Sequence, residues 1–331
     1  TLAFLRKFFG DSWIDGRMAD TLEACLISLM SVEGSVVPDI PRLLLDEAFR
    51  NQILQHVTDP VTLDYWKLEF GRSTSKIKLE MARPVNTRIR RLYRDKTLRR
   101  IVGQADCIDF SSILSGQKIF LANLRGATTL VGHSIGALLM IQCQMAAIAR
   151  AHQARANRTP FYLYVDEVQN FVVSSIPEML SEAGKYGIYL VIANQYMGQL
   201  SADTVRSVLG NVGTNIIFRA GREEVTHFTP LIEPTFSGED LLNLSRFRAI
   251  IKTQLHGKTL PAFLIDTNPP PQAVQPGTGV VERIADKSRQ KYGKSVAEID
   301  AELTRRYRQA TGTADSQPDG DTGISGEQFY G

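Results

Sequence analysis

Two adjacent carboxylates, Asp166 and Glu167, close an apolar run, Phe161-Tyr-Leu-Tyr-Val165. Such a run reads as a buried strand, and its carboxyl end is where α/β folds place their ligands. One acid there can hold a magnesium ion through its water shell. Its neighbour can orient and activate a water against a γ-phosphate. This is the Walker B pattern. The same two residues also fit a plain carboxylate cap at a helix start.

The elements around the pair carry the argument further. A helical stretch near 176–185 leads into a second apolar run, 188–193, which ends in Asn194-Gln195. A third run, 214–218, ends in Arg219. This alternation predicts βαβ units and a mainly parallel sheet, with the strands at 161–165, 188–193 and 215–218 close together. Their near-continuous apolar character calls for cover on both faces. An acid pair, an amide and a guanidinium at three consecutive strand ends all suit phosphate chemistry. Taken singly, Gln195 also fits a turn amide and Arg219 a surface salt bridge.

A rival chemistry is spelled by Gly132-His-Ser134-Ile-Gly136, which matches the G-x-S-x-G nucleophile elbow. Ser134 would attack, with Asp203 as the acid and His227 or His256 as the base. The elbow needs a buried strand before it, and the preceding Gly126-Ala-Thr-Thr-Leu-Val is a poor one. A helix over 132–151 is the expectation, with the nearest strand at 118–124.

The blocks FYLYVDEVQNF, SEAGKYGIYLVIANQY and GNVGTNIIFRAG together resemble the C-terminal part of the motor domain of conjugative coupling-protein-like ATPases, of type IV secretion and the HerA/FtsK group of P-loop motors. FGDSWIDGRM, DIPRLLLDEAFR and LRRIVGQ upstream continue the resemblance, as do FSGEDLLNLSRFRAIIK and SRQKYGKSVAEI downstream. It covers most of residues 8–300. The resemblance implies an α/β, RecA-like, mainly parallel sheet flanked by helices, with an all-helical domain in the N-terminal third. It implies ATP and Mg2+ as cofactors, DNA and a homohexamer of the chain itself as partners, and type IV secretion components nearby. Asp166 then matches the magnesium-side acid, Glu167 the catalytic glutamate and Gln195 the γ-phosphate sensor. Arg219 matches an arginine that acts in a neighbour's site or in its own. Lys185 is what remains of a basic pair before Tyr-Gly, since the preceding residue is Gly184. The implied place is the cytoplasm, at the inner face of the membrane through partners.

A P-loop motor also needs G-x-x-x-x-G-K-[ST], so that backbone N–H groups wrap the phosphates. Gly257-Lys258-Thr259 and Gly293-Lys294-Ser295 both lack the leading glycine, because position 252 is Lys and 288 is Ser. The expectation is a Walker A half lying upstream, or a relative that keeps the motor fold as a nonhydrolytic interaction module. On either reading this chain alone does not hydrolyse ATP.

With 43% hydrophobic and 22% charged residues, the 331-residue chain is ordinary globular material and builds a sizeable core. Three scattered cysteines exclude a Cys-rich zinc module, and five scattered histidines lack HExxH. No apolar run reaches the length of a membrane span. The net charge of +3 is too small to argue for nucleic acid, so distribution matters more. From Arg72 to Arg100 eleven basic residues meet only Glu80 and Asp95. A solvated helix face is the usual fate of such a run. A phosphate-contacting surface is the alternative, with aromatic interleaving limited to Tyr93.

Three parts are expected. Residues 1–110 form the all-helical inserted domain, with helices at 18–30, 40–57, 61–70 and 75–93, the last kinked or broken at Pro84. Residues 111–268 form the RecA-like core without its Walker A half. Residues 269–331 form a polar helix near 280–309 and a disordered tail.

Overall fold

The computed structural model describes residues 16–124, 129–171, 176–270 and 279–310. The tail and the residues before Gly16 lie outside them. The chain divides into two compact units: Gly16–Asp106 with the chain from Arg289, and Cys107–Ser288.

The first unit is helical, with α1 (Gly16–Met30), α2 (Ile40–Leu45), α3 (Glu47–Leu54), α4 (Pro60–Asp64), α5 (Ser75–Arg94) and α6 (Lys96–Val102). The expected helix over 40–57 divides at Asp46. That residue is extended and its side chain accepts from the Phe49 N–H at 3.0 Å, so an N-cap wins over continuation. The expected interruption at Pro84 does not break α5, which runs through it. Ala82, Val85, Asn86 and Ile89 are buried on its inner side, and this packing outweighs one lost backbone bond.

After α4 the backbone widens into a π-helical turn, Tyr65–Phe70. It delivers Tyr65, Trp66 and Phe70 to the core as an aromatic cluster. The polar tips of Tyr65 and Trp66 need partners once buried. The Tyr65 hydroxyl donates to Thr21 Oγ1 at 2.8 Å, and the Trp66 indole N–H donates to Ser28 Oγ at 2.8 Å. Each of those hydroxyls donates in turn to a carbonyl one turn back on α1, of Arg17 and Ala24.

The second unit holds α7 (Phe110–Ser115), α8 (Thr129–Ile148), β1 (Phe161–Val165), α9 (Ile176–Glu182), β2 (Ile188–Ile192), α10 (Ala202–Asn211), β3 (Asn215–Ile217), α11 (Arg222–Ile232) and α12 (Gly238–Leu242). It ends in β4 (Arg248–Lys252), β5 (Gln254–Leu255), β6 (Lys258–Thr259) and β7 (Phe263–Asp266). β1 and β2 pair in parallel, Phe161 against Ile188 through Val165 against Ile192. Phe161, Leu163 and Val165 alternate inward with Ile188, Leu190 and Ile192. They pack on Met140 and Cys143 of α8, Met179 of α9 and Leu114 of α7. The other face carries Tyr162, Tyr164, Tyr189 and Val191, all exposed, with the rings of Tyr162 and Tyr189 stacked at 5.1 Å.

Two strand expectations are corrected. β3 does not join β1 and β2 but pairs antiparallel with β4, which pairs antiparallel with β7. The parallel sheet is thus two strands wide among the described residues, and only one of its faces is covered. The run at 118–124 forms no strand. Ile119 is 88% and Leu121 76% exposed, and without a neighbouring ladder the backbone has nothing to pair with.

The chain then enters α13 (Val280–Tyr292) and α14 (Val296–Ala310). The expected single helix breaks between them because Ser295 and Glu298 form a reciprocal capping box, 2.9 and 3.2 Å. α14 belongs to the helical unit. Ile299 and Leu303 are buried, and Asp300 takes a two-pronged grip from Arg100, at 2.8 and 2.6 Å.

Contrary to the sequence expectation, one stretch, Val131–His152, is long and apolar enough to cross a membrane. Half of it is buried in the protein, where it serves as the core helix under β1 and β2.

Replacing Ser28 with alanine strands the buried Trp66 N–H without an acceptor. We expect a loss of about 1–3 kcal/mol, read as a lower urea midpoint. An unchanged midpoint would remove this bond from the account of the helical core.

Candidate active site

The register of β1 and β2 puts Asp166 and Asn194-Gln195 at one edge of the strands. Two backbone bonds continue the ladder past the strand ends: Ala193 N–H to Val165 at 3.0 Å, and Val168 N–H to Ala193 at 2.9 Å. The turn carrying the acids is thereby fastened to the end of β2.

Glu167 sits in that turn with φ 49°, in the left-handed region. For a residue with a Cβ this conformation costs about 1–2 kcal/mol. Local bonds hold it there. Its N–H donates to Asp166 Oδ1 at 3.0 Å, and Asn170 Nδ2 donates to Glu167 Oε2 at 3.0 Å. Both carboxylates are exposed. Each spends one oxygen on a local bond and keeps the other for solvent or a ligand.

The two strand edges differ in chemistry. At the amino edge Arg150, only 3% exposed, donates to the carbonyls of Thr159 and Tyr186, which lead into β1 and β2. Desolvation lowers its pKa from the ordinary arginine value. Arg158 donates to the carbonyls of Ala151, Gln153 and Lys185. Arginines tie the strands together at one end, and acids stand at the other.

Of the expected residues, the structure brings together Asp166, Glu167 and Gln195. Gln195 is exposed, and its amide has no partner among the described residues. Lys185 precedes β2 and stands at the amino edge, beside Glu182 at 3.9 Å. Arg219 follows β3, in the antiparallel sheet, exposed and without an ion-pair partner among the described residues. Sequence reasoning missed Asn170 and the left-handed turn at Glu167. Only Asn170 had a signal, in Asp-Glu-x-x-Asn, where the amide falls one helical turn after the acid.

The donor chemistry of Asp166 and Glu167 fits a hydrated magnesium ion. Magnesium keeps several waters and takes one or two carboxylates, which is what this edge offers. No group of three or more His, Cys, Asp or Glu could share a metal among the described residues. The buried side-chain oxygen of Gln169 lacks a partner, but it is an acceptor and does not extend an anion site.

The serine-hydrolase alternative fails on geometry. Gly132 to Gly136 lie inside the continuous helix α8, and Ser134 is 7% exposed. No strand–turn–helix elbow exists there. Gly136 serves packing instead, since a Cβ on it would run into the Phe171 ring. The two Gly-Lys-Thr/Ser triplets are equally structural. Gly257 shares a two-residue hairpin turn with His256, both at positive φ, and Lys294 pairs with Asp106.

A parallel βαβ unit with an acid pair at its carboxyl edge defines the class as an α/β protein. Residues 160–229 match the family described as the TraM recognition site of TraD and TraG, from β1 into α11. The chain thus carries a coupling-protein-like C-terminal part. Among solved structures it is similar to the bacterial conjugative coupling protein TrwBdeltaN70 in an unbound form. The identity is 14%, the TM-score 0.44, and the match covers 79% of this chain and 70% of that one. No curated protein sequence matches.

Glu167→Gly separates strain from chemistry. Glycine adopts the left-handed turn freely, so stability should hold or rise by up to about 1 kcal/mol. A loss beyond about 1 kcal/mol in denaturant unfolding would mean that the Glu167 side chain, not its function, maintains this turn.

Proposed function

We propose that this chain is part of an ATP-driven, DNA-translocating motor of the conjugative, type IV secretion coupling-protein type. The observation that carries the reading is the acid pair held at the carboxyl edge of β1, with Glu167 kept in a strained backbone conformation. Strain of this kind persists where the surroundings over-determine it, and it clusters at functional sites. The family match over the same strands supports it.

In this reading Asp166 would hold a magnesium ion. The bound ion would supply charge neutralisation on the phosphoryl oxygens. Glu167, steered by Asn170, orients a water and accepts its proton. Gln195 reports the γ-phosphate by hydrogen bonding at the same edge. Lys185, at the opposite edge, is left only a role in a neighbouring subunit's site. The segment 160–229 is also a candidate docking surface for a protein partner, since its family description names a recognition site. A homohexamer acting on DNA, placed in the cytoplasm at the inner face of the membrane, completes the proposal.

In the complete protein, Glu167→Gln should abolish ATP turnover and spare nucleotide binding, because the amide keeps the shape and loses the base. Unchanged turnover would remove Glu167 from catalysis. Turnover absent from the unsubstituted protein, with nucleotide still bound, would favour the nonhydrolytic interaction module.

Arg219 is proposed to act between subunits, where an arginine at a neighbour's γ-phosphate is worth roughly 10³–10⁵ in rate. Mixing Arg219→Ala with Glu167→Gln subunits should restore activity at interfaces that pair an intact Glu167 with an intact Arg219. Mixed rings that assemble yet stay at the level of either variant alone would reassign Arg219 to its own subunit.

A further inference from the structure

The exposed face of α5 carries a line of cations. Lys76, Arg83, Arg90 and Arg94 are all exposed, with Thr87 between them. At 3.6 residues per turn these five positions fall within about 60° of arc, over about 27 Å of helix. The opposite side of the helix, with Ala82, Val85 and Ile89, is buried.

The acids of this unit that could neutralise the line are committed elsewhere. Asp95 caps α6, accepting from the N–H groups of Thr97 and Leu98. Asp300 is held by Arg100, and that hydrogen bond keeps its carboxyl below the ordinary range; Arg99 and Lys96 act in the same direction. Asp106 is taken by Lys294, and Glu298 by its capping box. Among the acids on α5 itself, Glu80 borders the line. None of the four cations has an ion-pair partner among the described residues. Lys78 and Arg88 stand apart, half-buried, with Lys78 over the Phe70 ring.

From this we infer that the exposed face of α5 is a binding surface for the phosphate backbone of nucleic acid. Three of the four cations are arginines, whose planar forks grip phosphate oxygens in pairs. Leu79 borders the line and Ile77 stands further round, each about two-fifths exposed, which is less apolar surface than a membrane-surface helix presents. Its length equals about eight base steps at 3.4 Å per phosphate of one strand. The surface is far from the acid pair in sequence and does not depend on the nucleotide reading.

The test uses the 331-residue chain, without ATP, and fluorescein-labelled DNA in an anisotropy titration against salt. Four duplex contacts predict a slope of log K on log salt near −3.6, and four single-strand contacts one near −2.8, each about 0.9 or 0.7 per contact. For duplex, Arg83→Gln, Arg90→Gln and Arg94→Gln together should reduce that slope by about 2.7. The matching lysine substitutions should retain most of it. A control with equal charge loss, Lys67→Gln, Lys258→Gln and Lys287→Gln, should keep the slope, with folding of all variants checked by circular dichroism. Equal loss in both triple variants would reduce the effect to bulk charge and overturn the inference. So would an unchanged slope in the α5 variant. Polyglutamate or anionic phosphatidylserine vesicles displacing the protein as well as unlabelled DNA does, charge for charge, would also overturn it. Loss of DNA binding in the α5 variant while the complete protein still turns over ATP would confirm that the two sites are separate.

Discussion

The in-register parallel pairing of β1 with β2 is the constraint from which the candidate site follows. Pairing Val165 with Ile192 leaves Asp166 opposite Ala193 and brings Gln195 to the same edge. A slip by one residue would turn the inner set, Phe161, Leu163 and Val165, outward and send Tyr162 and Tyr164 into the core. Packing against α8 and α9 therefore fixes chemistry as well as fold. The arginines at the amino edge reinforce the same register, because Arg150 binds the chain entering both strands.

Much of this edge was legible in the sequence because a strand end is a local feature. An apolar run of five residues followed by Asp-Glu needs no tertiary information to be read. The helix over Ser134 was legible for a similar reason, since no strand preceded the glycine. What could not be read was pairing. The run at 118–124 has strand composition, as 214–218 does, but composition does not choose a neighbour. The first stays unpaired and the second joins an antiparallel sheet. The breaks at Asp46 and Ser295 were readable in principle as N-caps, yet helical periodicity on both sides concealed them. The left-handed turn at Glu167 had no sequence signal, because glutamate is not a residue that chooses it. The surroundings impose it.

The two units solve different physical problems. The strand unit uses buried aliphatic residues to hold polar groups at an exposed edge. The helical unit buries an aromatic cluster whose hydroxyl and indole groups are answered by Thr21 and Ser28 on α1. That core supports α5 through its inner side and leaves the outer side to charge. The eleven basic residues between Arg72 and Arg100 thus have several fates. Some pack on rings or bind carboxylates, and a residual line faces solvent without ion-pair partners among the described residues.

The proposed function requires the carboxyl edge of β1 and β2 to face a nucleotide. Amide hydrogen exchange of the complete protein, with and without a nonhydrolysable ATP analogue and Mg2+, tests it most directly. The account predicts slowed exchange at residues 166–170 and 194–196, with little change at 185–188 on the amino edge. Protection confined to the amino edge, or absent from both while the analogue is bound, would contradict it.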